Sequence, residues 1–299
     1  MRTIRWLLIY FVGIFVGAAL LAPWLYKLAA VAMNGDGRLP DLSKYPFHRF
    51  VSRSVMILAV VGLWPLLRKL QIQTWSDLGF TSPRLNWKNA RVGFTLGFGS
   101  LAFVAFISIC FGARAMDLSN SGTTLAGKLL GAMATALIVS IIEETLFRGV
   151  IYRSLRKVIH PWPGALLLSS GIYSLIHFFT KATSPESVEW NSGFSTLASM
   201  LAGFGNLDLL IPGFINLFIV GLVLGMAYER TGNLYFSIGL HAGWIFWLKS
   251  YGMLTTKTFK EHHSLWGTAK LIDGWLATAV LAMVFAVLVY WRNDSKRTT

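Results

Sequence analysis

LLGAMATALIVSIIEETLFRG, residues 129–149, is an apolar stretch that ends in three formal charges, those of Glu143, Glu144 and Arg148. A charged side chain inside a membrane span costs about 2.5 to 3.5 kcal/mol on insertion scales, so it indicates a functional site in which charges have partners. Glu144 and Arg148 are four residues apart and share one helix face, whereas Glu143 points roughly 100° away. The stretch therefore predicts a membrane helix with a Glu144–Arg148 pair and a second carboxylate, that of Glu143, left for another role.

Two histidines lie in other apolar segments of the chain. His177 falls within residues 166–179 and His241 within residues 234–248. Either histidine alone is explained equally well as a hydrogen-bonded packing residue. A carboxylate and two imidazoles together favour hydrolysis, because the acid can take a proton from water and the imidazoles can donate to or accept from a reacting carbonyl.

These residues resemble four ordered sequence blocks of the CAAX prenyl protease and bacteriocin-processing (CPBP, or Abi) family of intramembrane endopeptidases. The matching residues are Glu143, Glu144 and Arg148 for EExxxR, Tyr173 and His177 for aromatic-xxx-His, Phe218, Gly221, Gly225, Thr231 and Gly232 for FxxGxxxGxxxxxTG, and His241 for HxxxN. The resemblance extends from Glu143 to Ile245, about a third of the chain. EExxxR alone is common on soluble helices, but four ordered blocks on hydrophobic segments are specific.

The resemblance implies a glutamate-based peptidase. Glu143 would act as general base on a water held jointly with His177, and His241 would stabilise the oxyanion. Glu144 would be locked to Arg148 and orient the helix. Tyr173 stands where Phe is commoner in the family. No cofactor is expected for this chemistry.

One position departs from the family pattern. The family usually has Asn or Asp four residues after the second histidine, as a suspected oxyanion donor, and this chain has Ile245. An aliphatic side chain donates no hydrogen bond, and loss of one such donor costs other hydrolases about 2.7 to 4 kcal/mol. Asn216, Asn233 and Trp244 are the candidate substitute donors.

Two alternative functions stay open. The first is a zinc metalloprotease in which Glu143, His177 and His241 are the three protein ligands and water is the fourth. No HExxH motif occurs, and Cys110 is the only cysteine, so no thiolate site is predicted. The second is a non-catalytic membrane chaperone, immunity or transport protein, which Ile245 favours.

The composition predicts an all-α, polytopic membrane helix bundle. The 299 residues are 55% hydrophobic and 13% charged, and several apolar stretches approach the roughly 20 residues that cross a bilayer. We expect a single integral membrane domain over residues 1–299, with N-terminal spans and an interfacial cytoplasmic loop in 1–122, a family-like catalytic core in 123–250, and a C-terminal span and basic tail in 271–299. The eight predicted spans are Trp6–Leu28, Phe50–Leu67, Val92–Phe111, Leu125–Arg148, Ala165–Phe179, Leu209–Ala227, Leu234–Leu248 and Gly274–Trp291.

Helix lengths predict that the polar residues meet at one depth. At 1.5 Å per residue, Glu143 lies about 15 to 20 Å and His177 about 20 Å from the cytoplasmic ends of their helices, and His241 lies near the middle of its span. The site is therefore expected at mid-membrane depth. Gly221 and Gly225 form a small-xxx-small pair that allows close approach to a neighbouring span.

The distribution of Lys and Arg predicts that both termini are cytoplasmic, because basic residues accumulate in loops that stay inside. The net charge of +14 is then explained by topology and contact with anionic headgroups rather than by nucleic-acid binding, for which no recognition module occurs. The simplest location is a bacterial cytoplasmic membrane. The expected partners are the lipid bilayer and a peptide or protein substrate, either a prenylated C-terminal tail or a small exported peptide.

Overall fold

The computed structural model of the protein describes residues 2–33, 45–117, 119, 122–177, 182–201, 207–258, 263–268 and 270–291. The helices in chain order are α1 Arg2–Met33, α2 His48–Lys69, α3 Pro83–Cys110, α4 Gly122–Glu144, α5 Arg153–Arg156, α6 Trp162–Ile176, α7 Ser192–Met200, α8 Leu207–Thr231, α9 Tyr235–Leu254, α10 His263–Trp266 and α11 Trp275–Tyr290. A 3₁₀ turn, Ser76–Leu78, precedes α3, and a π-helical segment, Thr145–Tyr152, joins α4 to α5. Two short strands, β1 Arg114–Met116 and β2 Thr255–Lys257, are the remaining regular elements of the described residues. The all-α prediction is confirmed apart from this strand pair.

The helices include segments long and apolar enough to cross a membrane. Five such spans occur among the described residues: Arg2–Val31, His48–Lys69, Ser76–Cys110, Gly122–Arg156 and Gly213–Thr231. Two shorter apolar helices are α6 and α11, and the predicted seventh span corresponds to the 20-residue α9. A polytopic membrane bundle is therefore confirmed, while the count of eight spans stays a prediction.

Several predicted boundaries differ from the observed helices. The span expected at Ala165–Phe179 ends as a helix at Ile176, because the His177 N–H bonds back to the carbonyl of Ser174 and closes the last turn. The span expected to end at Leu248 continues to Leu254. A helix that was not predicted, α7, lies between the predicted spans Ala165–Phe179 and Leu209–Ala227.

The chain divides into two compact units, and the first consists of Met1–Gln73 and Phe178–Leu210. In this unit α7 lies close against α1, where a side chain on Gly193 would collide with the backbone carbonyl of Ala19. Tyr10 Oη donates a hydrogen bond of 2.7 Å to the Ala59 carbonyl and thereby joins α1 to α2.

The second unit consists of Thr74–His177 and Ile211–Thr299, and its longest continuous helical segments include Gly122–Arg156. Within a membrane the backbone must satisfy its own hydrogen bonds, and this stretch has no proline to interrupt the helix. The bonding changes from α to π directly after Glu144, and residues 147–152 are buried. Such π segments are rare and frequently lie at functional sites.

Glycines bring α3 and α9 into backbone contact within the second unit. A Cβ on Gly93 or Gly97 of α3 would meet the carbonyl of Phe236 or Leu240, and one on Gly239 or Gly243 of α9 would meet the backbone of α3. Two facing GxxxG pairs allow this approach, which is how many membrane helices associate. The contact holds the part of α9 that carries His241.

The close approach expected at Gly221 and Gly225 is present. A Cβ on Gly221 of α8 would lie 2.8 Å from Cβ of Ser170 on α6, and one on Gly225 would collide with the Leu166 side chain. At the opposite end of the unit, β1 and β2 pair antiparallel, with Ala115 opposite Thr256, and connect the ends of α3 and α9. These contacts fix α6, α8 and α9 around the end of α4.

Candidate active site

The three polar residues singled out in the sequence lie together in the second unit. Glu143 comes from the last turn of α4, His177 follows the end of α6, and His241 lies on α9. Oε2 of Glu143 is 3.6 Å from Nε2 of His177 and 3.8 Å from Nε2 of His241. One carboxylate oxygen therefore faces an imidazole nitrogen from each of two other helices.

His177 is oriented by the helix that precedes it. Its Nδ1 lies 2.7 Å from the carbonyl oxygen of Tyr173, and because a carbonyl only accepts, the Nδ1–H donates this hydrogen bond. Nε2 is then the nitrogen that faces Glu143. Placing His177 just after the last turn of α6, rather than within the helix, leaves the ring partly accessible, with 30% of the side chain exposed.

Glu144 is fully buried and accepts hydrogen bonds from the side chains of Arg148 and His241. Its Oε1 accepts hydrogen bonds of 2.9 Å from Nη1 of Arg148 and from Nδ1 of His241. Arg148 also donates from Nη2 to the carbonyl of Gly221, at 3.1 Å. The Glu144–Arg148 pair agrees with the i,i+4 expectation. The contact with His241 was missed, since no spacing in the sequence indicates which of two adjacent carboxylates faces α9.

Tyr173 closes the cluster on the side of α6. Its hydroxyl lies 3.4 Å from Nε2 of His241, and its ring centroid lies 4.9 Å from the Arg148 guanidinium carbon. Phe147 packs edge-on against the same ring, with centroids 4.9 Å apart. Aromatic side chains therefore pack directly against the charged residues of the cluster.

Two carboxylate oxygens in the site are buried without a hydrogen-bond partner in the described part of the chain: Oε2 of Glu143 and Oε2 of Glu144. They differ in access, because the Glu143 side chain is 24% exposed and that of Glu144 is 0% exposed. A buried acceptor without a partner is costly and indicates a place for a hydrogen-bond donor. Of these two side chains, only that of Glu143 is partly exposed.

Ile245 lies one turn after His241 on α9 and is buried, so an apolar side chain occupies the position of the family's expected donor. Trp244, one of the candidate substitutes, donates from Nε1 to the hydroxyl of Ser100, at 2.9 Å. Its N–H is therefore bonded to α3 and does not serve the cluster.

The two asparagines are also bonded elsewhere. Asn216 donates to the carbonyl of Ile272 at 2.8 Å and accepts from Thr278, so it fastens α8 to α11. Asn233 donates to Asn86 Oδ1 at 3.0 Å, near the start of α9. None of the three predicted substitute donors presents a free side-chain N–H to Glu143 and the histidines.

Glu143, His177 and His241 are also the predicted ligands of the alternative zinc site. Across the residues that the structure describes, no group of three or more His, Cys, Asp or Glu side chains is arranged to hold a metal ion. Nδ1 of both histidines is already engaged, one with a carbonyl and one with Glu144, so only the Nε2 atoms remain for a ligand. Zinc-bound histidines usually engage their second ring nitrogen in the same way, so the zinc-dependent mechanism stays an alternative prediction.

The fold and the cluster define the class: an integral membrane protein, built of helices, with a buried carboxylate and imidazole site contributed by three of them. Residues 125–247, 123 of the 299, match the family model described as type II CAAX prenyl endopeptidase Rce1-like. The match includes Glu143, His177, His241 and Ile245, and it confirms the resemblance to the CPBP endopeptidases. It supports intramembrane endopeptidase activity in general. Comparisons with curated proteins and with solved structures gave no match.

Proposed function

We propose that the protein is an intramembrane endopeptidase that hydrolyses a peptide bond with a Glu143-activated water. The observation that carries this proposal is the position of Glu143, whose side chain is partly exposed and whose Oε2 lies within 3.8 Å of Nε2 of both His177 and His241. A base and two potential donors that face one small volume are what acyl hydrolysis requires.

The first chemical step follows from this arrangement. A water between Glu143 and Nε2 of His177 loses a proton to the Glu143 carboxylate while its oxygen attacks the carbonyl carbon of the substrate. The carbonyl oxygen becomes an oxyanion and accepts a hydrogen bond from Nε2–H of His241. Collapse of the tetrahedral intermediate breaks the C–N bond, and the proton on Glu143 passes to the leaving amine.

Glu144 has a positioning role in this mechanism. For His241 to donate from Nε2 while its Nδ1–H is bonded to Glu144, the ring must carry both protons and a positive charge. The buried Glu144 carboxylate, 2.9 Å from Nδ1, compensates that charge and fixes the ring plane. Arg148 in turn holds Glu144 and is itself held by the Gly221 carbonyl.

Substrate and location extend the proposal. The substrate is a peptide or protein cleaved near the membrane, and the two candidates are a prenylated C-terminal tail and a small exported peptide. The protein lies in a bacterial cytoplasmic membrane with both termini in the cytoplasm, as the distribution of basic residues indicates. Catalysis needs no cofactor in this mechanism. The alternative enzyme mechanism is zinc-dependent, with Glu143, His177 and His241 as the metal ligands.

Ile245 favours a second candidate function, a non-catalytic membrane chaperone, immunity or transport protein. The buried isoleucine on the face of His241 offers no oxyanion donor, and Asn216, Asn233 and Trp244 are bonded to other groups. A cluster without that donor would bind a peptide through its charges and release it uncleaved.

The experiment compares wild type with Glu143→Gln in proteoliposomes supplied with prenylated C-terminal peptides or short exported peptides, with products identified by mass spectrometry. Glutamine keeps size but lacks basicity, so the rate should fall about 10²-fold or more while peptide binding persists. Glu229→Gln is the control, because Glu229 pairs with Arg156 at 2.8 Å and not with the cluster. Cleavage by Glu143→Gln at the wild-type rate would contradict the mechanism, and binding without cleavage by the wild type would favour the non-catalytic function.

A further inference from the structure

A groove runs between α3 and α11, on a surface of the second unit that does not include Glu143 or either site histidine. Its volume is about 1000 Å³. Most of its lining is aliphatic or aromatic, including Phe103 of α3 with Met283 and Val287 of α11, each at least half exposed. An open apolar groove on a membrane helix pair contacts the acyl region of the bilayer.

One end of the groove is basic. Lys88 and Arg91, in the first turns of α3, line it there, and both side chains are exposed. In the described part of the chain, neither makes a hydrogen bond or ion pair. This is the end of α3 that the distribution of Lys and Arg assigns to the cytoplasm. A groove that is apolar along its length and cationic at one end complements an amphiphile with an acidic head.

The dimensions fit a lipid of a single leaflet. The groove follows α3 from Lys88 to Phe103, roughly 22 Å at about 1.5 Å per residue. A bilayer is about 40 to 45 Å thick with its headgroup regions, so one leaflet measures roughly 20 to 22 Å. The basic end therefore lies at headgroup level when the far end reaches the bilayer midplane.

We propose that this groove binds an anionic phospholipid of the cytoplasmic leaflet, with its phosphate on Lys88 and Arg91 and one acyl chain along α3 and α11. Basic pockets between membrane helices on the cytoplasmic side are known to take acidic lipid headgroups. The inference does not depend on the proposed peptidase activity, because no residue of the cluster takes part.

The lipid would bind next to the helix contact that supports the site. Ser100 lines the groove and accepts the hydrogen bond from Trp244 of α9, three residues after His241. The neighbouring Gly97 is in backbone contact with Leu240. An acyl chain in the groove therefore covers the outer side of the helix that positions α9.

Gly99 allows a steric test. It lines the groove, and a Cβ on it would meet no atom within 4 Å, so Gly99→Phe fills the groove without a collision at its Cβ. Gly131 is the matched control: it is also a helical glycine with open space at its Cβ, and it lies on α4, outside the groove. Lys88→Gln/Arg91→Gln is the charge test, and since both residues are exposed and unbonded in the described part of the chain, it should fold normally.

The experiment titrates purified protein in detergent with phosphatidylglycerol or phosphatidylcholine of identical acyl chains and measures bound lipid by native mass spectrometry. We expect one tightly bound phosphatidylglycerol. Its affinity should fall roughly 30-fold in Lys88→Gln/Arg91→Gln, on general values for basic residues near anionic headgroups, and fall in Gly99→Phe but not in Gly131→Phe. Size-exclusion recovery checks the fold of each variant.

Three results would overturn the proposal. Equal affinity for the two lipids would mean that the basic end does not select charge. Equal losses in Gly99→Phe and Gly131→Phe would mean that the groove is not the binding surface. Displacement of phosphatidylglycerol by a neutral prenylated peptide, lost in Gly99→Phe, would assign the groove to that peptide.

Discussion

Replacing Glu144 with glutamine is the substitution whose effect on stability follows most directly from the structure. Oε1 of Glu144 accepts from both Arg148 and His241, and a glutamine Oε1 in the same place keeps both acceptor positions. What disappears is the negative charge. The side chains of Glu144 and Arg148 are 0% and 3% exposed, so the guanidinium would remain buried without a counter-charge, bonded only to neutral oxygens such as the Gly221 carbonyl.

The magnitude is large relative to total stability. Removing one member of a buried ion pair costs about 3 to 5 kcal/mol, and proteins are stable by about 5 to 15 kcal/mol. Because the introduced glutamine retains hydrogen-bonding capacity, we expect the lower part of that range, about 3 kcal/mol. The double variant Glu144→Gln/Arg148→Gln removes both charges and should recover part of the loss, which measures the coupling between the two.

The chain contains a control pair of the same chemistry. Glu229 and Arg156 are 2.8 Å apart, but Arg156 is 48% exposed, and exposed pairs contribute about 0 to 1 kcal/mol. The assay is reversible unfolding in mixed detergent micelles followed by tryptophan fluorescence. Equal losses of unfolding free energy in Glu144→Gln and Glu229→Gln would refute the argument that burial makes the Glu144–Arg148 pair important.

Three further predictions concern activity, packing and metal. Ile245→Asn places an amide on the face of His241 and should raise the cleavage rate, measured per folded protein. The increase should reach at most the roughly 10²- to 10³-fold that one oxyanion donor contributes elsewhere. An unchanged rate would mean that the site does not lack a donor. Gly97→Val should lower the yield of folded protein on size exclusion, because its Cβ collides with the Leu240 carbonyl. Gly99→Val, whose Cβ meets no atom within 4 Å, should leave the yield unchanged. Equal yields of the two variants would contradict the backbone contact between α3 and α9. Treatment with a strong metal chelator should leave activity and thermal stability unchanged. The metalloprotease alternative would instead be established if elemental analysis found about one zinc per chain and chelation removed both the zinc and the activity.

Much of the fold was predictable because a membrane imposes a simple rule. A long apolar run must satisfy its backbone internally, so it forms a helix, and the observed helices coincide with the predicted spans to within several residues at most ends. The end of α6 was not predictable, since it depends on a local hydrogen bond from the N–H of His177 to Ser174. The π segment after Glu144 was also missed, because its residues carry the same apolar pattern as an α-helix.

The sequence contains two GxxxG motifs that indicate a contact between α3 and α9, which the predicted spans alone do not indicate. Gly93 and Gly97 form one GxxxG pair and Gly239 and Gly243 form another, and the structure places the two in contact. A pair of such motifs on two predicted spans indicates close association. Recognising it would have placed the helix that carries His241 against α3.

The sequence predicted which residues lie together in the cluster, but not all of their contacts. Spacing alone indicated the Glu144–Arg148 pair, and the family blocks indicated that His177 and His241 accompany Glu143. The bond from His241 to Glu144 depends on how α9 lies against α4, which no local pattern specifies. The same holds for Trp244, whose partner Ser100 is 144 residues away in the chain.

The most direct test of the central claim is a single turnover of the cleaved peptide in water enriched in ¹⁸O, with product and enzyme analysed by mass spectrometry. If Glu143 activates a water that attacks the carbonyl, the new carboxylate of the N-terminal fragment carries one ¹⁸O and Glu143 carries none. An N-terminal fragment without ¹⁸O, or ¹⁸O found on Glu143, would mean that the Glu143 carboxylate attacks the substrate directly. Either result would contradict the general-base mechanism.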